Sequence, residues 1–251
     1  FVAQAAVGAL AMGAAMALAG AAITAAVVRR DPPARDDALD RAIDRTLLRY
    51  LGAPRGDRIY LTAKLHSDPV VQQLARLEPP LGEVLDVACG RGQLSILLVE
   101  LGLATRFTGL DWDRRKVEVC QVAAGEDGRA IVADATRAEL APVDTVLIID
   151  ALHYLAREER RALLERAAAA LRPGGRLVIR ELDPKRGLRS RIAQWAERVG
   201  SRVGMNRGAV CEWVDPAALS AEVAALGLSP RLVPHPDDKP SPNYLLIADK
   251  A

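Results

Sequence analysis

The stretch that most constrains this chain is Val84-Leu85-Asp86-Val87-Ala88-Cys89-Gly90-Arg91-Gly92-Gln93, an apolar run that passes through an acid into a glycine-rich turn. Leu94–Leu101 follows with apolar residues at helical spacing, so the segment predicts strand, tight turn and helix. Gly90 and Gly92 let the main chain turn with no Cβ in the way, and a nucleoside can then lie against the backbone. Asp86 narrows the choice of ligand, because a carboxylate at the end of the strand repels a pyrophosphate and attracts a cation. Ser95 stands where a dinucleotide fingerprint wants Gly or Ala. Both residues argue against an NAD-dependent oxidoreductase and for a nucleoside cofactor bearing ammonium and sulfonium groups.

The elements downstream arrive in the order a doubly wound sheet requires. Arg106–Asp111 reads as a second strand ending in an acid, Arg114–Ala124 as a helix, and Ala130–Asp134 as a third strand. Asp144–Asp150 is nearly all apolar inside its acidic ends, as expected of a central strand buried on both faces. A helix at Arg157–Leu171 is stopped by Arg172-Pro173-Gly174-Gly175, and Arg176–Leu182 is strand five. Strands alternating with helices imply right-handed crossovers and a parallel sheet, with ligands bound at the carboxyl ends of its strands. Asp86, Asp111, Asp134 and Asp150 all fall at such ends, so the fold is expected to gather them around one crevice.

These motifs resemble those of the class I S-adenosylmethionine-dependent methyltransferases, over about residues 81–251. The resemblance implies an α/β, Rossmann-like, mostly parallel seven-stranded sheet with an antiparallel last strand at Asn243–Asp249, preceded by N-terminal helices. It implies S-adenosyl-L-methionine as cofactor, held by the glycine motif through Asp86, Ala88, Cys89, Gly90 and Gly92. Asp111 corresponds to the acid that holds the ribose hydroxyls, with Trp112 beside it, and Asp134 to the adenine-side acid, with Ala135 next to it. Asp150 closes the fourth strand, and Pro173-Gly174-Gly175 matches the family's turn. Ala88 departs from the pattern, since many members have Gly there, but a methyl group is small enough for binding to survive. Cys89 reads as a small packed residue.

Methyl transfer is an in-line displacement that demands positioning and, for some acceptors, removal of a proton. His153 is the candidate base, because it follows Asp150 and its ordinary pKa lies near working pH. In the family this position often only lines the pocket. Tyr154, Arg180, Glu181, Trp195 and Trp213 are candidates for the substrate pocket, while His66 and His235 sit outside the strand ends. The three cysteines, Cys89, Cys120 and Cys211, are odd in number and widely spaced, which suggests reduced thiols. No metal-ligand spacing occurs among His, Asp, Glu or Cys. Lys and Arg number 34 against 32 Asp and Glu, and the resulting net charge of +2 supplies no broad field for nucleic acid.

Phe1–Val28 carries no charged side chain. As a helix it would reach roughly 42 Å, enough for a hydrocarbon core of about 30 Å, and Ala9, Gly13 and Ala17 would give it a small-residue face. Arg29 and Arg30 follow at once, which places the remainder in the cytoplasm. A secretory signal would have its basic residues before the apolar run, and an Ala/Gly helix buried in protein is the other rival. Phe1 is not an initiator Met, so this helix is expected to end a longer chain, for example a membrane transporter fused to or associated with the domain. Residues 29–80 read as a proline-stiffened linker and a helical cap. Leu39, Ile43, Leu47 and Tyr50 mark an amphipathic helix, and Arg58–His66 a second, shorter element; in the family this chain resembles such pieces often close over the cofactor, which makes Tyr60 and Lys64 candidates to touch its methionine part. The resemblance makes the basic segment 183–214 a substrate-side insertion, read as a packed helix, a lid over an acidic or carrier-bound substrate, or an interfacial helix on anionic lipid.

The resulting expectation is a cytoplasmic-membrane enzyme whose domain faces the cytoplasm and methylates a small-molecule, lipid-like or carrier-bound acceptor. The alternative is a non-catalytic domain that binds S-adenosylmethionine or S-adenosylhomocysteine and regulates an attached transporter.

Overall fold

A computed structural model describes residues 37–185, 212–233 and 242–251. Three helices, α1 (Asp37–Leu48), α2 (Arg55–Ser67) and α3 (Pro69–Ala75), precede the sheet. The alternating part follows as β1 (Gly82–Val87), α4 (Gln93–Glu100), β2 (Ala104–Asp111), α5 (Arg114–Ala124), β3 (Gly128–Val132) and β4 (Val143–Ile149). It continues with α6 (Arg157–Ala170), β5 (Leu171–Leu182), α7 (Pro216–Ala224), β6 (Leu228–Val233) and β7 (Asn243–Lys250). The seven strands lie in the order β3-β2-β1-β4-β5-β7-β6. All pairings from β3 to β5 are parallel, and β7 runs antiparallel to both β5 and β6. Strand order reverses between β1 and β4, the switch point where a crevice opens beyond the carboxyl ends.

Period-two alternation divides the apolar runs between two core layers. Leu147, Val178, Leu245 and Ile247 pack with Leu39, Leu61, Leu74 and Leu97 from the N-terminal helices and α4. Their chain neighbours Ile148, Ile179 and Leu246 turn to the other face, where Leu164 of α6 and Leu219 of α7 cover them. The helical cap therefore shares a core with the sheet. Helix starts follow from acid caps: Asp113 Oδ1 accepts from the N–H groups of Arg115 and Lys116, and Asp215 Oδ1 from those of Ala217 and Ala218.

Several boundaries differ from those read in the sequence. β3 spans Gly128–Val132 and stops two residues before Asp134. Gly128 starts the strand because a Cβ there would lie 2.5 Å from the Phe107 ring, so only glycine lets β3 close on β2. β5 begins at Leu171 and takes in Pro173-Gly174-Gly175 as an irregularity in its pairing with β4, where Val143 pairs with Leu171 but Thr145 with Arg176. Helix α2 has 13 residues against 12 in α1, so the second N-terminal element is not the shorter one. Neither α3 nor β6 was located from the sequence. The apolar run 1–28, the linker to residue 36 and residues 186–211, with Trp195, lie outside the described residues, as does His235. Among the described residues no helix is long and apolar enough to cross a membrane.

Candidate active site

The loop leaving β1 turns through three left-handed residues, Ala88 at φ 61°, Gly90 at 57° and Gly92 at 73°. The two glycines serve different ends. A Cβ on Gly92 would lie 2.2 Å from Cys120 Sγ, so this glycine allows α4 to start hard against α5. A Cβ on Gly90 would meet nothing within 4 Å. It would project into a cavity of about 580 Å³ lined by Asp86, Ala88, Cys89 and Gly90 of this loop, by Asp111 and Trp112, by Asp134 and Ala135, and by Asp150 and Tyr154. The four strand-end acids expected to meet in one crevice do so.

Their surroundings differ. Asp86 is 5% exposed, and burial pushes its carboxyl up to about 7. A 2.6 Å hydrogen bond donated by Ser95 Oγ opposes the rise, and the nearby charge of Asp111 adds to it. Asp111 is equally buried but accepts from two main-chain N–H groups, Gly90 N on Oδ2 and Asp113 N on Oδ1, each at 2.8 Å. Asp134 Oδ1 accepts from the N–H and hydroxyl of Thr136, which fixes the turn after β3. Asp150, itself left-handed at φ 55°, pairs with Arg180 and faces Lys64 Nζ at 3.5 Å.

Helix α2 forms one wall. Arg91, between the two loop glycines, donates from Nε and Nη2 to Asp57 Oδ1 at 2.8 and 2.6 Å. Its guanidinium lies 4.7 Å from the centre of the Tyr60 ring, and its carbonyl accepts from the Tyr50 hydroxyl at 2.7 Å. The N-terminal helices are thus strapped to the loop itself. Tyr60 and Lys64 both line the cavity. Lys64 Nζ meets Asp68 Oδ2 at 2.6 Å, and Arg180 Nη2 meets Asp68 Oδ1 at 2.8 Å. Burial works against the charge on Asp68, yet Arg180 and Lys64 hold its carboxyl below the ordinary carboxylate range.

His153, Arg180, Glu181 and Trp213 are not brought into the cavity wall. After β4 a single 3-10 turn, Leu152–Tyr154, sets the His153 and Tyr154 rings against each other with their centres 4.0 Å apart, and only Tyr154 reaches the cavity. Tyr154 lines the cavity, whereas His153 is 4% exposed and puts Nδ1 2.7 Å from Glu181 Oε2. Glu181 Oε1 also accepts from the N–H groups of Ala151 and Leu152 at 3.0 and 2.6 Å, so this acid holds the turn in shape. Trp213 stacks on His153 with ring centres 5.9 Å apart. Arg180 is 3% exposed and committed to Asp150 and Asp68. These four residues form the layer behind the wall. His66 is exposed on α2. Sequence reasoning missed Asp57, Asp68 and Arg91 as parts of the site. It used Ser95 only to exclude a dinucleotide, although a serine within the apolar start of a helix was itself a signal of a buried polar partner.

Ala88 carries the one strain in the glycine loop, since a left-handed alanine costs about 1–2 kcal/mol. Replacement by glycine relieves it and adds roughly 0.4–1 kcal/mol of chain entropy to the unfolded state. Ala88→Gly should therefore stabilise the protein by about 0.5–1 kcal/mol. Urea unfolding measures it, and a loss of stability would mean that Ala88 is not left-handed.

The family described as methyltransferase domain matches residues 84–175. The chain is 27% identical over 160 residues to a ubiquinone biosynthesis O-methyltransferase from Xanthomonas axonopodis pv. citri (strain 306), covering 61% of this chain and 65% of that protein. The protein of the same name from Idiomarina loihiensis is 33% identical over 107 residues, which covers 40% of this chain and 42% of that one. The match thus spans just under two thirds of the first relative's length. Among solved structures, an O-methyltransferase family protein from Burkholderia thailandensis superposes with a TM-score of 0.60 at 19% identity, covering 78% of this chain and 59% of that chain. A SAM-dependent methyltransferase from Archaeoglobus fulgidus gives 0.56 at 17% identity, over 76% and 99%. These structures share the fold. The strand order, the acid-to-glycine loop and the family match fall together: the chain carries a methyltransferase domain over residues 84–175, on a fold shared with S-adenosylmethionine-dependent methyltransferases.

Proposed function

We propose that this chain transfers a methyl group from S-adenosylmethionine to a small-molecule, lipid-like or carrier-bound acceptor at the cytoplasmic face of a membrane. The observation that carries the reading is the open space above Gly90, in a cavity ringed by four acids and lined by main chain. Asp111 is placed to accept from ribose hydroxyls with the lone pairs its backbone contacts leave. Asp134, Ala135 and Trp112 border the adenine side, and the amino-acid end lies toward Asp86 and Gly90. The cofactor supplies an electrophilic methyl on a sulfonium, so the protein's work is alignment, exclusion of water and control of charge. Tyr154, Lys64 and Asp150 also line the cavity and are the side chains available to an acceptor. His153 acts through Tyr154 and the turn rather than on the acceptor. The relatives' name, ubiquinone biosynthesis O-methyltransferase, supports an oxygen acceptor on a lipid-like molecule. The uncharged run 1–28 followed by Arg29 and Arg30 supports the membrane location.

Calorimetry with S-adenosylhomocysteine tests the cofactor site. Gly90→Val should abolish binding with the fold retained, because its side chain fills the space above the loop. Asp111→Ala should weaken binding by about 1.5–3 kcal/mol, the range for hydrogen bonds to a charged group. Unchanged affinity in both variants would remove the cofactor from this cavity.

The pH dependence follows from Asp86. Its carboxyl is raised from 3.8 to about 7 by burial, so the protein alone favours the neutral acid. The group therefore costs stability as pH rises from about 4 toward 7. A bound ammonium favours the carboxylate. Below about pH 7 binding should release a proton, and affinity should climb by up to tenfold per pH unit and then level off. Calorimetry at pH 6 in two buffers of different ionisation enthalpy counts that proton; a count of zero would detach Asp86 from the ligand.

The membrane part of the proposal is tested by expressing the full chain and fractionating the cells. It should sediment with membranes and resist alkaline carbonate, whereas a chain starting near Asp36 should remain in the supernatant and still bind S-adenosylhomocysteine. Extraction of the full chain by carbonate would overturn a spanning helix.

A further inference from the structure

A second cavity, of about 120 Å³, lies between α3 and the β6–β7 pair and shares no lining residue with the acid-ringed one. Its walls are apolar, from Leu77, Val233, Leu245 and Ile247. One polar side chain intrudes. Gln73 of α3 is 7% exposed, lines the cavity, and has neither its carboxamide oxygen nor its nitrogen hydrogen-bonded. A buried amide left unpaired on both atoms is destabilising, and native proteins satisfy nearly all such groups. The aliphatic side chains of Leu77, Val233, Leu245 and Ile247 that line the cavity offer this amide no partner. The exposed Arg76, Glu78 and Arg231 complete the lining on the solvent side. Arg231 keeps only a long contact, 3.9 Å, with Asp249, whose other oxygen is already held by Arg176 at 2.8 Å.

We propose that this cavity is a binding site for an N-acyl amino acid with a small aliphatic side chain, free or as the carboxyl end of a peptide. Each part of the ligand is set by the wall it meets. The Gln73 carboxamide presents one acceptor and one donor side by side, and an extended N-acyl amino acid meets both from one edge: its N–H donates to Oε1 and one carboxylate oxygen accepts from Nε2, leaving the other oxygen for the guanidiniums. The apolar walls take the aliphatic side chain, and the volume suits one of three to five carbons, given that a cavity of about 150 Å³ admits benzene. The two guanidiniums, with only Glu78 in the lining and the long Asp249 contact against them, take an anion, and a carboxylate matches their planar forks. The site is independent of whatever fills the acid-ringed cavity.

Titrating the full chain with N-acetyl-L-valine, followed by amide NMR shifts and calorimetry, tests this. One saturable site is expected, and N-acetyl-L-valinamide, which lacks the charge, should bind more than about tenfold more weakly. Gln73→Leu should lose the acid by a similar factor while raising the melting temperature, because an unpaired buried amide is removed. Arg231→Gln, on the surface and harmless to folding, should lower affinity for the acid and leave that for the amide unchanged. A pentapeptide ending in valine that binds more than tenfold tighter than the free compound identifies a peptide terminus as the occupant. Equal affinities identify the free small molecule. Absence of saturation by about 10 mM with either probe, or unchanged affinity in Gln73→Leu, would overturn the site.

Discussion

Asp111 ends β2 with both carboxylate oxygens committed to main-chain N–H groups, one in the loop after β1 and one in the loop after its own strand. The N–H of Cys89 also bonds to the Leu110 carbonyl at 3.0 Å, so the β1–β2 pairing extends one step past the end of β1 before the chain turns. Hydrogen bonds to a charged acceptor contribute roughly 1.5–3 kcal/mol each, and these two hold a loop that contains a strained alanine. The left-handed turn, the open space over Gly90 and the N-cap of α5 two residues beyond Asp111 are fixed together. A neutral isostere such as asparagine offers one acceptor in place of two, so one of these N–H groups would lose its partner and face an amide donor.

The opposite wall depends on a balanced set of four charges. Lys64 and Arg180 face Asp68 and Asp150, drawn from α2, the α2–α3 junction, the end of β4 and β5. Burial disfavours each alone. For Lys64 the charges of Asp150 and Asp68 outweigh burial and raise its ammonium above the ordinary value. Removing one member would leave a buried charge uncompensated, which is costlier than never having built the pair. The network therefore ties the helical cap to the sheet where two strands end, and Asp68 extends it by capping α3 through the Val70 N–H.

Much of the sheet was legible because each of its signals is local. Strand, acid, glycine turn and helix recur within a few residues, and β4 was recognisable from the apolar run Val146–Ile149 between acidic ends. The misses come from contacts between distant residues. The start of β3 is decided by the Phe107 ring, 21 positions away from Gly128, and no periodicity within β3 records it. His153 follows Asp150 closely enough to be read as a cavity residue, but a 3-10 turn and the Glu181 carboxylate rotate it inward. Arg180 and Glu181 were legible as a polar pair at the end of β5, yet alternation along a strand does not reveal which partners a buried charge will find. For Arg91 the glycines on either side marked the loop, while Asp57, which holds it, sits on a separate helix.

The charge argument that singled out Asp86 also changes form in the folded protein. Read from the sequence, a strand-end carboxylate repels pyrophosphate and attracts a cation. In the structure its apolar surroundings raise the carboxyl to about 7, so near neutrality much of the protein carries a neutral acid there. The neutral fraction repels nothing, so Asp86 adds less to the barrier against a pyrophosphate than its position suggests, and Asp111, Asp134 and Asp150 line the same cavity. Selectivity for a cation then arises from coupling: the site becomes anionic when an ammonium arrives to stabilise the carboxylate, and a neutral or anionic ligand receives no such gain. Ser95 sets the sensitivity of that response, because its hydroxyl favours the ionised form that burial opposes. The serine that breaks the dinucleotide fingerprint is thus part of the machinery that favours a charged nucleoside.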